Sequence, residues 1–171
     1  MKLLQNVHIK NILKENKLLN KKLRGFEVVS KDFRQYMTDI KLPQRATKHS
    51  IAYDFFSPIY TTIPPKQSVM IWSDIKAYFQ PDEALLINVR SSMGKQPIII
   101  ANTQGWIESD YYSNEDNDGN IGFRLYNLGT TPYIINQGDK IGQGMFINYL
   151  TSDNGNTDVK RTGGFGSTGT K

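Results

Sequence analysis

The string Arg90-Ser91-Ser92-Met93-Gly94 is well suited to hold an oxyanion. A guanidinium presents a rigid fork of donors, and Ser91 and the loop amides add short ones. The apolar run 84–89 precedes it, so Arg90 stands at a strand end. An ordinary Arg-Ser turn would read the same way. Further on, Gly105-Trp106-Ile107-Glu108 ends on a carboxylate, which taken alone is also what a solvated strand end offers. Near the C-terminus, Arg161-Thr162-Gly163-Gly164-Phe165-Gly166-Ser167-Thr168-Gly169 frames one aromatic with glycines and hydroxyls. It is not a P-loop, because Thr170 stands where that motif requires Lys and no helix follows. A disordered Gly-Ser tail is the plain alternative.

Several chemistries are excluded. There is no cysteine, hence no disulfide scaffold, thiolate nucleophile or Cys-based zinc site. The two histidines, His8 and His49, are far apart, which disfavours a Ser-His-Asp triad or a multi-His metal site. Asn114, Asp116, Asp118 and Gly119 mimic the start of a calcium loop, but Leu125 occupies the position where that loop needs Glu. The segment 112–120 is expected to be a mobile, acidic, Asn-rich tip.

The elements that must position these groups are β-strands. The chain of 171 residues is long enough for one domain with a real core. Short apolar runs at 26–29, 51–56, 68–72, 75–79, 84–89, 97–101, 121–125, 132–135 and 140–149 alternate with Pro and Gly breakers. That spacing predicts a sandwich, jelly roll or barrel, and no strand-helix alternation suggests a doubly wound fold. Residues 1–24 read as a basic helix ended by Gly25, with a partial apolar stripe. They carry Lys2, Lys10, Lys14, Lys17, Lys21, Lys22 and Arg24 against Glu15 alone, more than the whole net charge of +5, which leaves the rest close to neutral. A basic segment suits nucleic acid or an acidic membrane, and equally a solvated helical arm. Nothing in it selects a nucleic-acid or protein partner. No run is long enough to span a membrane, and Gln5, Asn6, His8, Lys10 and Asn11 interrupt any signal-peptide core. The expectation is a soluble, cytoplasmic protein. Residues 151–171, rich in Gly, Ser, Thr, Asn and Asp, form a tail that is idle or wraps a partner or ligand.

Five strings, in order, resemble the motifs of the trimeric dUTP diphosphatase (dUTPase) family. They are Ala52-Tyr53-Asp54, Arg90-Ser91-Ser92-Met93-Gly94, the segment from Asn102 to Tyr111, Gly138-Asp139-Lys140-Ile141-Gly142-Gln143, and the arm from Arg161 to Gly169. The resemblance runs from about Phe26 to Lys171. It implies an all-β, dUTPase-type jelly roll or β-barrel over 25–150, with the helical extension 1–24 before it and the flexible Gly-rich arm 151–171 after it. It also implies a homotrimer whose sites draw on more than one chain.

By the same resemblance, the reaction is hydrolysis of dUTP to dUMP and pyrophosphate by water attack on the α-phosphorus. Glu108 orients the water and Arg90 assists. Asn102, Gly105 and Ile107 belong to the hairpin that reads the uracil, Tyr111 packs under the deoxyribose, and Phe165 stacks on the base. Arg90, Ser91, Ser92, Gln143, Lys160, Arg161, Gly166, Ser167 and Thr168 bind the phosphates, while Asp54 and Asp110 belong to the motif frame. Mg²⁺ is the cofactor, held by phosphates and water without protein ligands. The chain departs from the pattern at Ala52, where Gly is usual; at Gly142, where Ala is usual; and at Glu108, where Asp is usual. Arg161 also stands one residue nearer Phe165 than is common, and Lys160 has the usual spacing. The alternatives are a dCTP deaminase of related fold, which also uses a Glu and an Arg-Ser-Ser loop, and a non-catalytic dUTP-binding protein.

Overall fold

The computed structural model describes residues 22–155, 158–159, 161 and 163–164. Among the described residues twelve strands pair, all antiparallel. The largest sheet has the order β2-β3-β12-β7-β9 and contains β2 (Gln44–Arg45), β3 (Tyr53–Phe56), β7 (Glu83–Asn88), β9 (Gly105–Glu108) and β12 (Lys140–Asn148). A second sheet joins β5 (Ser68–Trp72), β10 (Gly122–Asn127) and β8 (Ile98–Ile100) in that order. Two pairs complete the set: β1 (Gly25–Val28) with β6 (Ile75–Tyr78), and β4 (Thr61–Ile63) with β11 (Tyr133–Ile135). The strands thus form four sheets, not one closed barrel.

Sequence pattern explains the layering. In β10 Phe123 and Leu125 point inward and Arg124 outward, the alternation of a sheet with one wet face. β7 is buried along Ala84-Leu85-Leu86-Ile87, as its place between β12 and β9 requires. Phe55, Ile63, Ile71, Ile75, Leu85, Ile98, Ile121, Phe123, Leu125 and Ile141 are the fully buried apolar centre. β12 passes this centre closely because residue 142 is glycine: a Cβ there would fall on the Phe123 ring. The Phe123 ring takes the space that an alanine methyl would need.

Most of the expected strands form within a residue or two of their expected bounds. Two were not foreseen. β2 has only two residues, and β4 is squeezed between Pro58 and Pro64. A single α-helix occurs among the described residues, the short α1 (Ser91–Gly94), where the sequence suggested a loop. Of the expected N-terminal helix, residues 1–21 lie outside the described residues. Residues 22–24 are not helical but lead straight into β1. There Lys22 pairs with Glu27 at 2.9 Å, and Arg24 pairs with the buried Glu83. The Arg24 hydrogen bond holds the Glu83 carboxyl below its ordinary range despite burial. No helix among the described residues is long and apolar enough to cross a membrane.

Candidate active site

Among the described residues β9 is the outermost strand of the large sheet and pairs with β7 only. The register sets Gly105 opposite Ile87 and Glu108 opposite Ala84. Gly105 is required by that contact, since a Cβ would run into the Ile87 side chain. Period-two alternation turns Ile107 into the core and leaves Trp106 and Glu108 on the open face. A 3-10 turn, Ser109–Tyr111, then carries Tyr111 back inward. Its hydroxyl donates to Asn120 O at 2.8 Å and accepts from Asn117 Nδ2 at 2.8 Å. Burial pushes the Tyr111 phenol up from its ordinary range, so it is a neutral donor at physiological pH. Asn102, Gly105, Ile107, Glu108, Tyr111 and Arg161 share the wall of a pocket of about 490 Å³, with Trp106 and Arg124 at its sides.

The described part of the arm reaches the same pocket. Arg161 Nη2 donates to Glu108 Oε2 at 2.9 Å, and Nε donates to Asp110 Oδ1 at 3.2 Å. Nη1 donates to the carbonyls of Gly163 and Gly164 at 3.2 and 3.1 Å. The guanidinium lies 5.4 Å from the Tyr111 ring centroid, within cation-π range. Gly164 N–H donates to Asp116 Oδ2 at 2.8 Å.

The segment 112–120 is a knit loop, contrary to the mobile tip expected. Asn114 Oδ1 accepts from the N–H groups of Asp116 and Asn117, and its amide donates to Tyr111 O at 2.8 Å. Asp118 pairs with Lys76 at 2.8 Å and accepts from Ser30 N–H at 2.7 Å. Asn120 and Asp74 bond reciprocally at 3.0 and 2.8 Å, and Asp74 also accepts from the N–H groups of Gln35 and Tyr36. Composition alone marks such a run as solvated. Here its side chains close on backbone groups of the same turn and on β-strand neighbours.

A second cluster gathers at the other end of β7. Asp54, buried on β3, gives one oxygen to Arg90 Nε at 2.8 Å and the other to Lys140 Nζ at 2.7 Å. Gln143 stands opposite Asp54 and Asn88, and its amide donates to Val89 O at 3.3 Å. Ser91 and Ser92 are exposed at the start of α1. Asp54 thus fixes the Arg90 fork through Nε and leaves both terminal nitrogens for an oxyanion.

The two clusters do not meet within one chain. Arg90 lies six positions along the strand from Ala84, the partner of Glu108. At about 3.3 Å per residue that is roughly 20 Å, beyond the reach of both side chains toward one phosphorus atom. Lys160, Phe165, Gly166, Ser167 and Thr168 lie outside the described residues. Sequence reasoning missed Lys140, Asp116, Asn117 and Arg124. Lys140 was within sight, in the same turn-strand string as Gln143; the others carry no signal until the tip and β10 fold beside β9.

The family model described as dUTPase matches residues 38–169. The chain belongs to the dUTPase family. A deoxyuridine 5'-triphosphate nucleotidohydrolase of Lactococcus lactis subsp. lactis is 37% identical over 151 residues, covering 86% of this chain and 99% of that protein. The solved dUTPase of Streptococcus mutans has a TM-score of 0.66 at 31% identity and covers 75% of this chain and 98% of its own. The dUTPase from phage phi11 of S. aureus shares the fold, with a TM-score of 0.63 at 18% identity over 81% of this chain and 97% of its own.

Proposed function

We propose that the protein hydrolyses dUTP to dUMP and pyrophosphate, in a trimer of jelly-roll subunits whose sites each combine groups from different chains. The observation that carries the reading is the convergence of Asn102, Gly105, Ile107, Glu108 and Tyr111 on one pocket at the outer edge of β9. An edge strand offers alternating N–H and C=O groups, the complement of uracil's donor flanked by two acceptors. The Tyr111 ring, locked by Asn117 and Asn120, gives the deoxyribose a fixed floor without space for a 2'-hydroxyl. The separation of Glu108 from Arg90 supports the composite site: a neighbouring subunit brings its own Arg90, Ser91, Ser92 and Gln143 to the hairpin. The arm, through Phe165 and the hydroxyls of Ser167 and Thr168, covers base and phosphates.

In the reaction Glu108 holds a water in line with the α-phosphorus and takes its proton as the new P–O bond forms. The bond to the bridging oxygen breaks, and pyrophosphate leaves with its charge met by Arg90 and Gln143. The donor set fits a metal carried in by the substrate: both oxygens of Asp54 are taken by cations, so among the described residues this carboxylate is not free at the Arg90 end, which presents donors for phosphate. Mg²⁺, when bound with the substrate, would supply charge shielding for the phosphates, while Arg90 and Gln143 donate to their oxygens.

The test is pyrophosphate release from dUTP with Mg²⁺ and with EDTA, using dCTP, dTTP and UTP as controls. Selective, Mg²⁺-dependent release that Glu108→Gln lowers on the order of 10²- to 10⁴-fold is expected. Ammonia release from dCTP would transfer the site to deaminase chemistry. Tight dUTP binding without turnover would make it a binding protein.

A further inference from the structure

Tyr111 can serve as the floor for the sugar only if its ring stays in place. A pocket that yields rejects an added hydroxyl weakly, so firm exclusion of a ribonucleotide needs a ring that cannot sink. The 112–120 loop holds this buried tyrosine at both ends. At the backbone end, the Tyr111 carbonyl accepts from Asn114 Nδ2 at 2.8 Å. Gly119 packs on the same carbonyl so tightly that a Cβ would lie 2.8 Å from its oxygen, and its φ of +80° also suits glycine. At the ring end, the hydroxyl donates to Asn120 O and accepts from Asn117 Nδ2, both at 2.8 Å.

We propose that Asn117 is a positioning residue that sets the preference for deoxyribose over ribose by bracing the Tyr111 phenol; the inference rests on the dUTPase reading above. Asn117 is not on the wall of the pocket, so it acts through Tyr111 and not on the nucleotide. The phenol gives its proton to Asn120 O, and Asn117 supplies the donor that the phenol oxygen still lacks. The Asn117 amide is itself fixed. Its Oδ1 accepts from Asn114 Nδ2 at 2.8 Å and from Gly119 N–H at 3.0 Å, while Nδ2 also reaches Asn120 O at 3.5 Å. The loop is in turn tied to the strands behind it. Asp118 holds the Lys76 ammonium of β6 at 2.8 Å and the Ser30 N–H at 2.7 Å. The Tyr112 hydroxyl donates to Glu27 of β1 at 2.7 Å. The brace therefore runs from the β1–β6 pair through the loop to the sugar floor.

The experiment compares Asn117→Ala, Lys76→Met, Tyr111→Phe and the Tyr111→Phe/Asn117→Ala double variant with the wild type, all as the full chain. The readouts are kcat/KM for dUTP and for UTP, and the affinities for dUMP and UMP. Asn117→Ala should lower the dUTP-to-UTP ratio of kcat/KM about tenfold, the order of what one buried hydrogen bond contributes. Most of that change should be a gain on UTP rather than a loss on dUTP, and the dUMP-to-UMP affinity ratio should fall with it. Lys76→Met cuts the tie between loop and β6 away from the pocket, and should shift both ratios the same way by about threefold. Tyr111→Phe keeps the ring but loses both phenol bonds, so it should relax selectivity at least as far. Adding Asn117→Ala to it should change the ratio by less than about twofold, because the two side chains act as one unit.

An unchanged ratio in Asn117→Ala would overturn the proposal, and so would an equal loss on dUTP and UTP, which is the mark of a general structural role. An Asn117→Ala effect that persists in full beside Tyr111→Phe would also overturn it, since Asn117 would then not act through the phenol. A wild type that fails to turn over dUTP would instead overturn the function proposed above, and the dUMP and UMP affinities would still decide the brace. A wild type that binds neither nucleotide would overturn both.

Discussion

Two variants that are each inactive should restore activity when they assemble together. On the roles proposed above, Arg90→Ala removes the phosphate fork and leaves Glu108 untouched, and Glu108→Gln removes the base and leaves the fork. Within one chain these groups lie at opposite ends of the β7–β9 pair, roughly 20 Å apart, so no subunit can place both on one substrate. In the closed ring of three proposed above, each site would take its hairpin from one subunit and its fork from the next. Any ring containing both variants, in either proportion, has one interface where an intact hairpin faces an intact fork. Mixed trimers isolated through two different affinity tags should therefore show about one third of the wild-type kcat per chain, against parents reduced on the order of 10²-fold or more. The assay is pyrophosphate release after co-expression and tandem purification. Mixed trimers no more active than the parents would refute the composite site, and with it the inference drawn from strand register.

Gly142→Ala should destabilise the fold by about 1–3 kcal/mol in urea unfolding, because its methyl meets the buried Phe123 ring and overpacks the core. Asn120→Ala should cost about 1–3 kcal/mol by the same measurement, since it leaves the buried Asp74 N–H without its partner and removes one of the two donors to Asp74 Oδ1. For Asp118, burial raises the carboxyl pKa but the Lys76 ammonium and Ser30 N–H outweigh it, so the folded-state value lies below the ordinary one. Its contribution is present above about pH 4 and is lost as pH falls through the depressed folded value. Chemical unfolding from pH 7 downward should thus show a shallower acid loss in Asp118→Asn than in the wild type, and identical slopes would contradict the assignment.

Much of the fold was legible in the sequence. Period-two apolar runs and Pro-Gly punctuation marked most strands, because each residue's inward or outward face is settled by its immediate neighbours. The motif strings pointed to the right family for the same reason: a Gly at 105, an Arg after an apolar strand and a Phe among glycines are local chemical requirements. The two-residue β2 and the proline-bounded β4 lacked enough length to show a period. The 112–120 loop reads as solvated by composition, and only its neighbours reveal otherwise: Lys76 from β6, Ser30 after β1 and Asp74 before β6 supply the partners that its polar side chains need.

The sequence by itself determined which residue types the chain can offer: a guanidinium at a strand end, a carboxylate after Gly-Trp-Ile, and an arm of glycines and hydroxyls. The tertiary structure alone decided who meets whom. Strand pairing sent Arg90 and Glu108 to opposite ends of one ladder and split Asp54 between Arg90 and Lys140. These are long-range registers, set by the combined packing of strands distant in sequence, and no local spacing carries them.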